Sequence, residues 1–202
     1  MRVIVIGGTG TIGSAVVKRL STRHEVVVVG HKKGTFQVDL ASPDSITSLF
    51  KAIGTCDAVV STAGIAKFAS LDDLTYDDYF IGLKNKLMGQ ANLVRIGRPF
   101  VTNHGSFTLT SGVLSQHPMK GSASISMVNA GLEGFVRAAA IDLPRGLRVN
   151  VVSPPWVTET LIARSMDPSI GIPADQVAQA YVASVEGTMS GQTLDPRQIA
   201  AA

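Results

Sequence analysis

A β-branched run that ends on a glycine turn opens this chain: Arg2-Val-Ile-Val-Ile6 leads straight into Gly7-Gly-Thr-Gly-Thr-Ile-Gly13. Consecutive Val and Ile residues form a strand buried on both faces, the kind found inside parallel sheets. Ile12, Val16, Val17 and Leu20 then recur at helical spacing, so a helix follows the glycines, and Glu25 to Val29 supplies a second buried strand. Strand, glycine turn, helix, strand is a unit that presents the free amides of a helix N-terminus to an anion.

The alternation continues. Phe36 to Asp39 reads as a third, short strand. Ser42 as N-cap with Pro43 at the first helical position predicts a helix over Ile46, Leu49, Phe50 and Ile53. Asp57 to Ser61 is a fourth strand, Thr75 caps a longer helix running to about Gly97, and Gly105 to Ser111 is a fifth strand. Ser122 to Leu143 predicts a long apolar helix stopped by Pro144 and Gly146, followed by a sixth strand from Leu147 to Val152. A helix around Asp175 to Val185 and a short piece from Gly191 to Leu194 complete the chain. Strands that alternate with helices need right-handed crossovers, which place helices on both faces of a parallel sheet. The expected fold is therefore a doubly wound α/β sheet of the Rossmann type, in one domain spanning 1–202.

Composition narrows the partners. With 202 residues, 45% of them hydrophobic and 16% charged, the chain has enough apolar side chains for one substantial core, and extensive disorder is excluded. The longest apolar runs, Val3 to Ile6 and Val26 to Val29, are too short to span a bilayer, and Met1-Arg2 runs straight into the first; neither a membrane span nor a signal peptide is expected. A single cysteine, Cys56, forms no internal disulfide and no metal cluster, which suits a reducing cytoplasm. The net charge of +3 comes from scattered Lys and Arg with only 5% aromatics. That pattern points to an anionic small molecule in place of nucleic acid.

The glycine turn is the strongest chemical signal. Gly7, Gly10 and Gly13 are spaced G-x-x-G-x-x-G, and with Thr9, Thr11 and Ile12 they make a turn through which a pyrophosphate approaches the backbone. At the end of the second strand, where an NAD site places Asp or Glu for the ribose 2′-hydroxyl, this chain reads Gly30-His31-Lys32-Lys33. Two lysines and His31 attract a 2′-phosphate that a carboxylate would repel, so the expected cofactor is NADP(H). The competing reading of Lys32 and Lys33 is a solvated turn.

Over nearly its whole length the sequence resembles the short-chain dehydrogenase/reductase family. The resemblance rests on the glycine turn, Asp39-Leu40 after the third strand, Ser61-Thr-Ala-Gly64 after the fourth, Ser111 after the fifth, and Asn150-Val-Val-Ser-Pro154 at the sixth. It implies adenine contact from Asp39 and Leu40, close cofactor approach at Ala63 and Gly64, and a place beside the nicotinamide carboxamide for Val157, with Thr158 or Thr160 bonding it. For Asp39, a strand-end turn residue is the rival reading. The helices from Thr75 and from Ser122 resemble those that pair subunits in this family, which implies a homodimer or homotetramer.

In this family a Tyr protonates the carbonyl oxygen as hydride arrives, a Lys one helical turn later lowers the Tyr pKa, and an upstream Ser steadies the oxygen. Ser111 matches the Ser. Counting from Ser111 puts the Tyr at Ser124 and the Lys at Val128, whereas anchoring on Leu132-Glu133-Gly134 puts them at Ile125 and Asn129; in neither register does a Tyr or Lys occur. Tyr76, Tyr79 and Tyr181 lie outside the motif. Positioned general acid catalysis contributes typically 10² to 10⁴ in rate, about 3 to 5 kcal/mol, so a reductase survives the loss with a substitute acid or with a substrate needing none. His117, Lys120 and Ser124 lie in the right segment, and His117, with the unperturbed pKa nearest neutrality, is the leading acid; its rival reading is a solvent-facing loop residue before Pro118. Ser111 either bonds a substrate oxygen or merely ends its strand, and Trp156 either walls a substrate pocket or packs beside Pro154 and Pro155. The expected function is hydride transfer, dependent on NADP(H), to or from a small carbonyl, enone or imine substrate; the alternative is a catalytically silent NADP(H)-binding sensor or scaffold. No metal site is expected.

Overall fold

The structure is a computed structural model describing residues 1–199. Seven parallel strands lie in the order β3-β2-β1-β4-β5-β6-β7, formed by β1 (Arg2–Ile6), β2 (Glu25–Gly30), β3 (Phe36–Gln37), β4 (Cys56–Ser61), β5 (Val101–Thr110), β6 (Arg148–Val152) and β7 (Thr193–Leu194). The doubly wound α/β sheet read from the sequence is the observed fold. The strand order reverses between β1 and β4, and such a switch point opens a crevice at the carboxyl ends of the strands.

Helices cover both faces. On one, α1 (Thr11–Leu20) and α7 (Ala174–Glu186) bring Val16, Leu20, Val177 and Tyr181 against Val3, Val5 and Val60. On the other, α2 (Pro43–Ile53), α4 (Gly89–Gly97) and α5 (Ala123–Asp142) pack Ile46, Phe50, Leu93 and Leu132 against Ile4, Ile6, Val59 and Phe107. Burying an aliphatic or aromatic side chain contributes roughly 1.5–3 kcal/mol, so the alternate faces of β1 hold both layers in place. Ser42 caps α2 as expected, its hydroxyl accepting from the Ser45 amide at 3.2 Å.

Three boundaries differ from expectation. The helix from Thr75 is wound in three sections: α3 (Tyr76–Gly82), a π-helical stretch over Leu83–Met88, and α4. Thr75 starts it through a reciprocal capping box with Asp78. The fifth strand begins at Val101, four residues before the apolar signal, with a register shift where Cys56 pairs Val101 and Ala58 pairs Ser106. Thr102, Asn103 and His104 are polar and His104 has a positive φ of 63°, so hydrophobic pattern does not mark this stretch as strand. The third strand ends at Gln37, because Asp39 turns the chain toward α2. Two short helices complete the fold, α6 (Thr158–Ala163) after β6 and α8 (Pro196–Ile199) after β7. No helix among the described residues is long and apolar enough to cross a membrane.

Candidate active site

The first cleft, of about 350 Å³, lies at the switch point and is lined by Gly7, Thr9, Gly10, Gly30, His31, Val38, Leu40, Thr62, Ala63, Gly64, Ile65 and Asn85. Gly7 has φ 81° and donates its amide to Val29 O at 2.8 Å, which turns the chain off the end of β1. Gly10 then caps α1 with no side-chain hydrogen bond, and the first turn holds no acidic residue. The first-turn amides are left for an external acceptor. A Cβ on Gly13 would overlap the Gly7 carbonyl, so helix and turn pack as closely as only glycine permits.

The sequence-derived cofactor residues divide into groups. Gly7, Thr9, Gly10, His31, Leu40, Ala63 and Gly64 meet in the cleft. Thr11, Ile12 and Gly13 form the first turn of α1 beside it. Lys32 and Lys33 are exposed on the turn after β2, adjacent to His31, and a Gln37 side-chain hydrogen bond to Lys32 O at 3.3 Å helps to close that turn. Asp39 is exposed, and its carboxylate accepts from the Ala41 amide at 2.9 Å, a local turn contact. Val157 is buried, caps α6 and bridges to Ile172, outside both clefts described here.

A second cleft of about 240 Å³ begins where the first ends. Phe68, Val113, Leu114, Ile125, Pro154, Pro155 and Trp156 make its lining largely apolar, with Arg164 also lining it; Lys86, Ser111 and Asn129, joined by hydrogen bonds, are its polar floor. Asn85 faces the first cleft and Lys86 the second, so neighbouring residues of the π-helical stretch form the partition between them. Lys86 Nζ donates to Asn129 Oδ1 at 2.7 Å and to Ser111 O at 2.8 Å. Asn129 completes its own bonding by donating from Nδ2 to Gly112 O at 3.2 Å. Burial of the ammonium pulls Lys86 down to about 8.

The structure selects between the two registers of the motif segment. Ile125 and Asn129 face the cleft, whereas Ser124 and Val128 are fully buried, and Ser124 Oγ has no hydrogen-bond partner among the described residues. Ser111 lines the cleft, but its hydroxyl donates to buried Glu133 Oε1 at 3.1 Å, so the polar atom it turns toward Lys86 is its carbonyl. Ser115 donates to the same carboxylate oxygen at 2.6 Å. His117 is exposed and lines a separate small pocket with Asp195 and Arg197, and Lys120 borders a third depression with Ser70 and Asp72. Tyr181 is fully buried, bonded to Thr110 Oγ1 at 2.6 Å, and burial pushes its phenol well above the ordinary range. Tyr76 is largely exposed on α3, and neither it nor Tyr79 lines the second cleft.

Lys86 is a site residue that reading the sequence missed, as are Asn85, Phe68 and Arg164. Lys86 sits in a helix with several other polar residues, and nothing in its spacing marks it as the one that reaches Asn129 across 43 positions. The nearest signal is Gly89, where a Cβ would fall 2.8 Å from Leu40 Cβ, showing that this helix runs close under the cofactor cleft.

A glycine-turn crevice at the reversal point of a parallel sheet, with a second cleft against it, defines a Rossmann-fold protein of the dehydrogenase type. The chain belongs to the short-chain dehydrogenase/reductase family. A family model described as Enoyl-(Acyl carrier protein) reductase matches residues 11–202. The chain is 29% identical to the short-chain dehydrogenase/reductase ATR9 of Stachybotrys chlorohalonatus, over 89% of this chain and 88% of that protein. Among solved structures, the protein lin1944 of Listeria innocua superposes with a TM-score of 0.93 at 37% identity, covering 96% of this chain and 98% of that one. A short chain dehydrogenase from Burkholderia cenocepacia J2315 in complex with NADP gives 0.82 at 27% identity, covering 100% and 98%.

Proposed function

We propose that this chain is an NADP(H)-dependent oxidoreductase that moves hydride to or from a small carbonyl, enone or imine carbon without the usual tyrosine acid. The observation that carries the reading is the shared partition: Gly64, Asn85 and Lys86 separate a glycine cradle from an apolar cleft with a polar floor. Bound in the cradle, the cofactor supplies the hydride. Residues Gly7 to Gly13 would hold its pyrophosphate, and they fit: a Cβ on Gly10 would meet only the Gly7 oxygen, at 3.3 Å, so the backbone is open to a ligand where α1 leaves its amides uncapped. Ala63, Gly64 and Leu40 line the space for the rest of the dinucleotide, and Lys32 and Lys33 supply the positive charge for a 2′-phosphate beside the His31 ring. The NADP complex of the Burkholderia relative supports the same choice.

In the second cleft, Phe68, Ile125 and Trp156 exclude water from an apolar substrate, while Lys86 and Asn129 present hydrogen-bonding groups to a carbonyl oxygen on it. The reading gives Ser111 a backbone role, because its hydroxyl is held by Glu133. His117 takes no part in it from its separate pocket. An apolar hollow between α4 and α5, lined by Met88, Ala91, Phe135 and Ala139, supports pairing of two chains as a homodimer or homotetramer through these helices. Burial pushes the lone thiol of Cys56 up to about 12, which leaves it inert and agrees with a cytoplasmic setting.

One observation favours the sensor reading: Ile125, a side chain with no ionisable proton, stands at the cleft. Calorimetric titration with NADPH and NADH, followed by turnover on a panel of ketones, enones and iminium ions, separates the two. NADPH preference with oxidation on the panel is expected. Tight NADPH binding with no oxidation would establish the sensor, and NADH preference would remove the role given to Lys32 and Lys33.

A further inference from the structure

We propose that Lys86 is the proton donor of the second cleft, an acid delivered from the helix after β4 to the place where the family's motif helix carries its own. The inference rests on the oxidoreductase reading above and deepens it. An ammonium has three N–H donors. Two of those on Lys86 are spent, on Ser111 O and Asn129 Oδ1, and these fix Nζ at the floor of the cleft with one N–H left for a ligand. Asn129 stands one helical turn beyond Ile125, on the cleft-facing register of α5, so the amine reaches the motif position from a different element.

The proton step balances on this chain's own atoms. One N–H bond of the ammonium breaks, an O–H bond forms on the oxyanion left when the substrate carbon has accepted hydride, and the neutral amine takes its next proton from water. The surroundings suit an acid that gives up its proton readily. Glu133 on α5 is occupied by two serine hydroxyls, Asp78 on α3 pairs with Lys67 at 3.7 Å, and Arg95 on α4 bonds Asn92. Arg164 lines the same cleft and adds a second positive charge. With no carboxylate among the described residues bonded to it and its ammonium buried, Lys86 is held near 8, which leaves it largely protonated at neutral pH and close enough to operating pH to donate.

The test compares Lys86→Met with the unaltered protein on two substrates, a ketone, whose oxygen needs a proton, and a preformed iminium ion, whose carbon accepts hydride with no proton transfer. The expected result is a fall in kcat/KM of at least about 100-fold on the ketone, little change on the iminium ion, and an NADPH Kd within a factor of about two, as for a residue outside the cofactor cradle. Equal loss on both substrates, or no loss on the ketone, would overturn the inference while leaving the oxidoreductase reading intact. Failure of the unaltered protein to oxidise NADPH with either substrate would overturn that reading and the inference together. Trace acetylation across a pH series, quantified peptide by peptide, reads the amine in the unaltered protein and decides the matter even where the variant does not fold. Lys86 should titrate near 8, and a midpoint at the ordinary lysine value of about 10.4 would overturn the assignment.

Discussion

Gly64 lies flat against the aliphatic stem of Lys86: a Cβ built on the glycine falls 2.7 Å from Lys86 Cγ and 3.0 Å from its Cβ. Gly64 also has φ 143°, a conformation that side chains avoid. Gly64→Ala therefore strains the backbone and pushes the stem of Lys86 at once. A loss of about 1–3 kcal/mol is expected from the strain, read as a drop of about 2–4 °C in Tm per kcal/mol for a chain of this size. NADPH affinity and ketone turnover should fall together, since the residue belongs to the partition between the clefts; an unchanged Tm and Kd would refute that placement.

Stability should depend on pH through Lys86. Burial lowers its folded-state value from 10.5 to about 8, so between those limits the unfolded chain holds a proton that the folded chain has released. Stability rises with pH wherever the unfolded state binds more protons. The advantage of the unaltered protein over Lys86→Met should accordingly grow across this window, by a few kcal/mol at most. Urea unfolding of both proteins at intervals across the window measures it, and parallel curves would show the amine to be solvated.

Gly13→Ala is expected to weaken cofactor binding by more than tenfold, because the added methyl overlaps the Gly7 carbonyl and forces α1 away from the turn that presents its amides. Isothermal titration with NADPH tests this. Retained affinity would show that the pyrophosphate does not rest on this turn.

Tyr181→Phe removes a fully buried hydroxyl of a side chain that does not line the second cleft. Thr110 Oγ1 keeps its bond to Ser61 O at 2.6 Å, so the expected cost is about 1 kcal/mol in urea unfolding. Turnover should be unaltered, and its loss would mean that this tyrosine supplies the acid after all.

What the sequence disclosed follows from the range over which each signal acts. The strands β1, β2 and β4 and the cap at Ser42 are local: a run of β-branched residues, or a serine before a proline, carries its own reason for its conformation. The glycine turn is local too, and it led directly to the first cleft. The opening of β5 joins the sheet where Cys56 pairs with Val101, and the polar residues Thr102, Asn103 and His104 that follow concealed it. The second cleft is assembled from six separate stretches of chain, and its floor depends on a contact between Lys86 and Asn129 that no spacing rule reaches. For the same reason, counting from Ser111 did not settle which of two neighbouring registers on α5 faces the cleft; the answer lies in how the helix is rotated against its sheet.

The wider winding from Leu83 to Met88 fits one more residue into its turns than regular coiling would. The reactive amine thus owes its aim to rotational phase along one cylinder. Removing any one of the other residues of that stretch would leave amine, amide and glycines all in the gene product yet swing Lys86 through about 100°, turning a working acid into an idle surface charge. Length, as much as chemistry, is what a descendant of this chain has to preserve there.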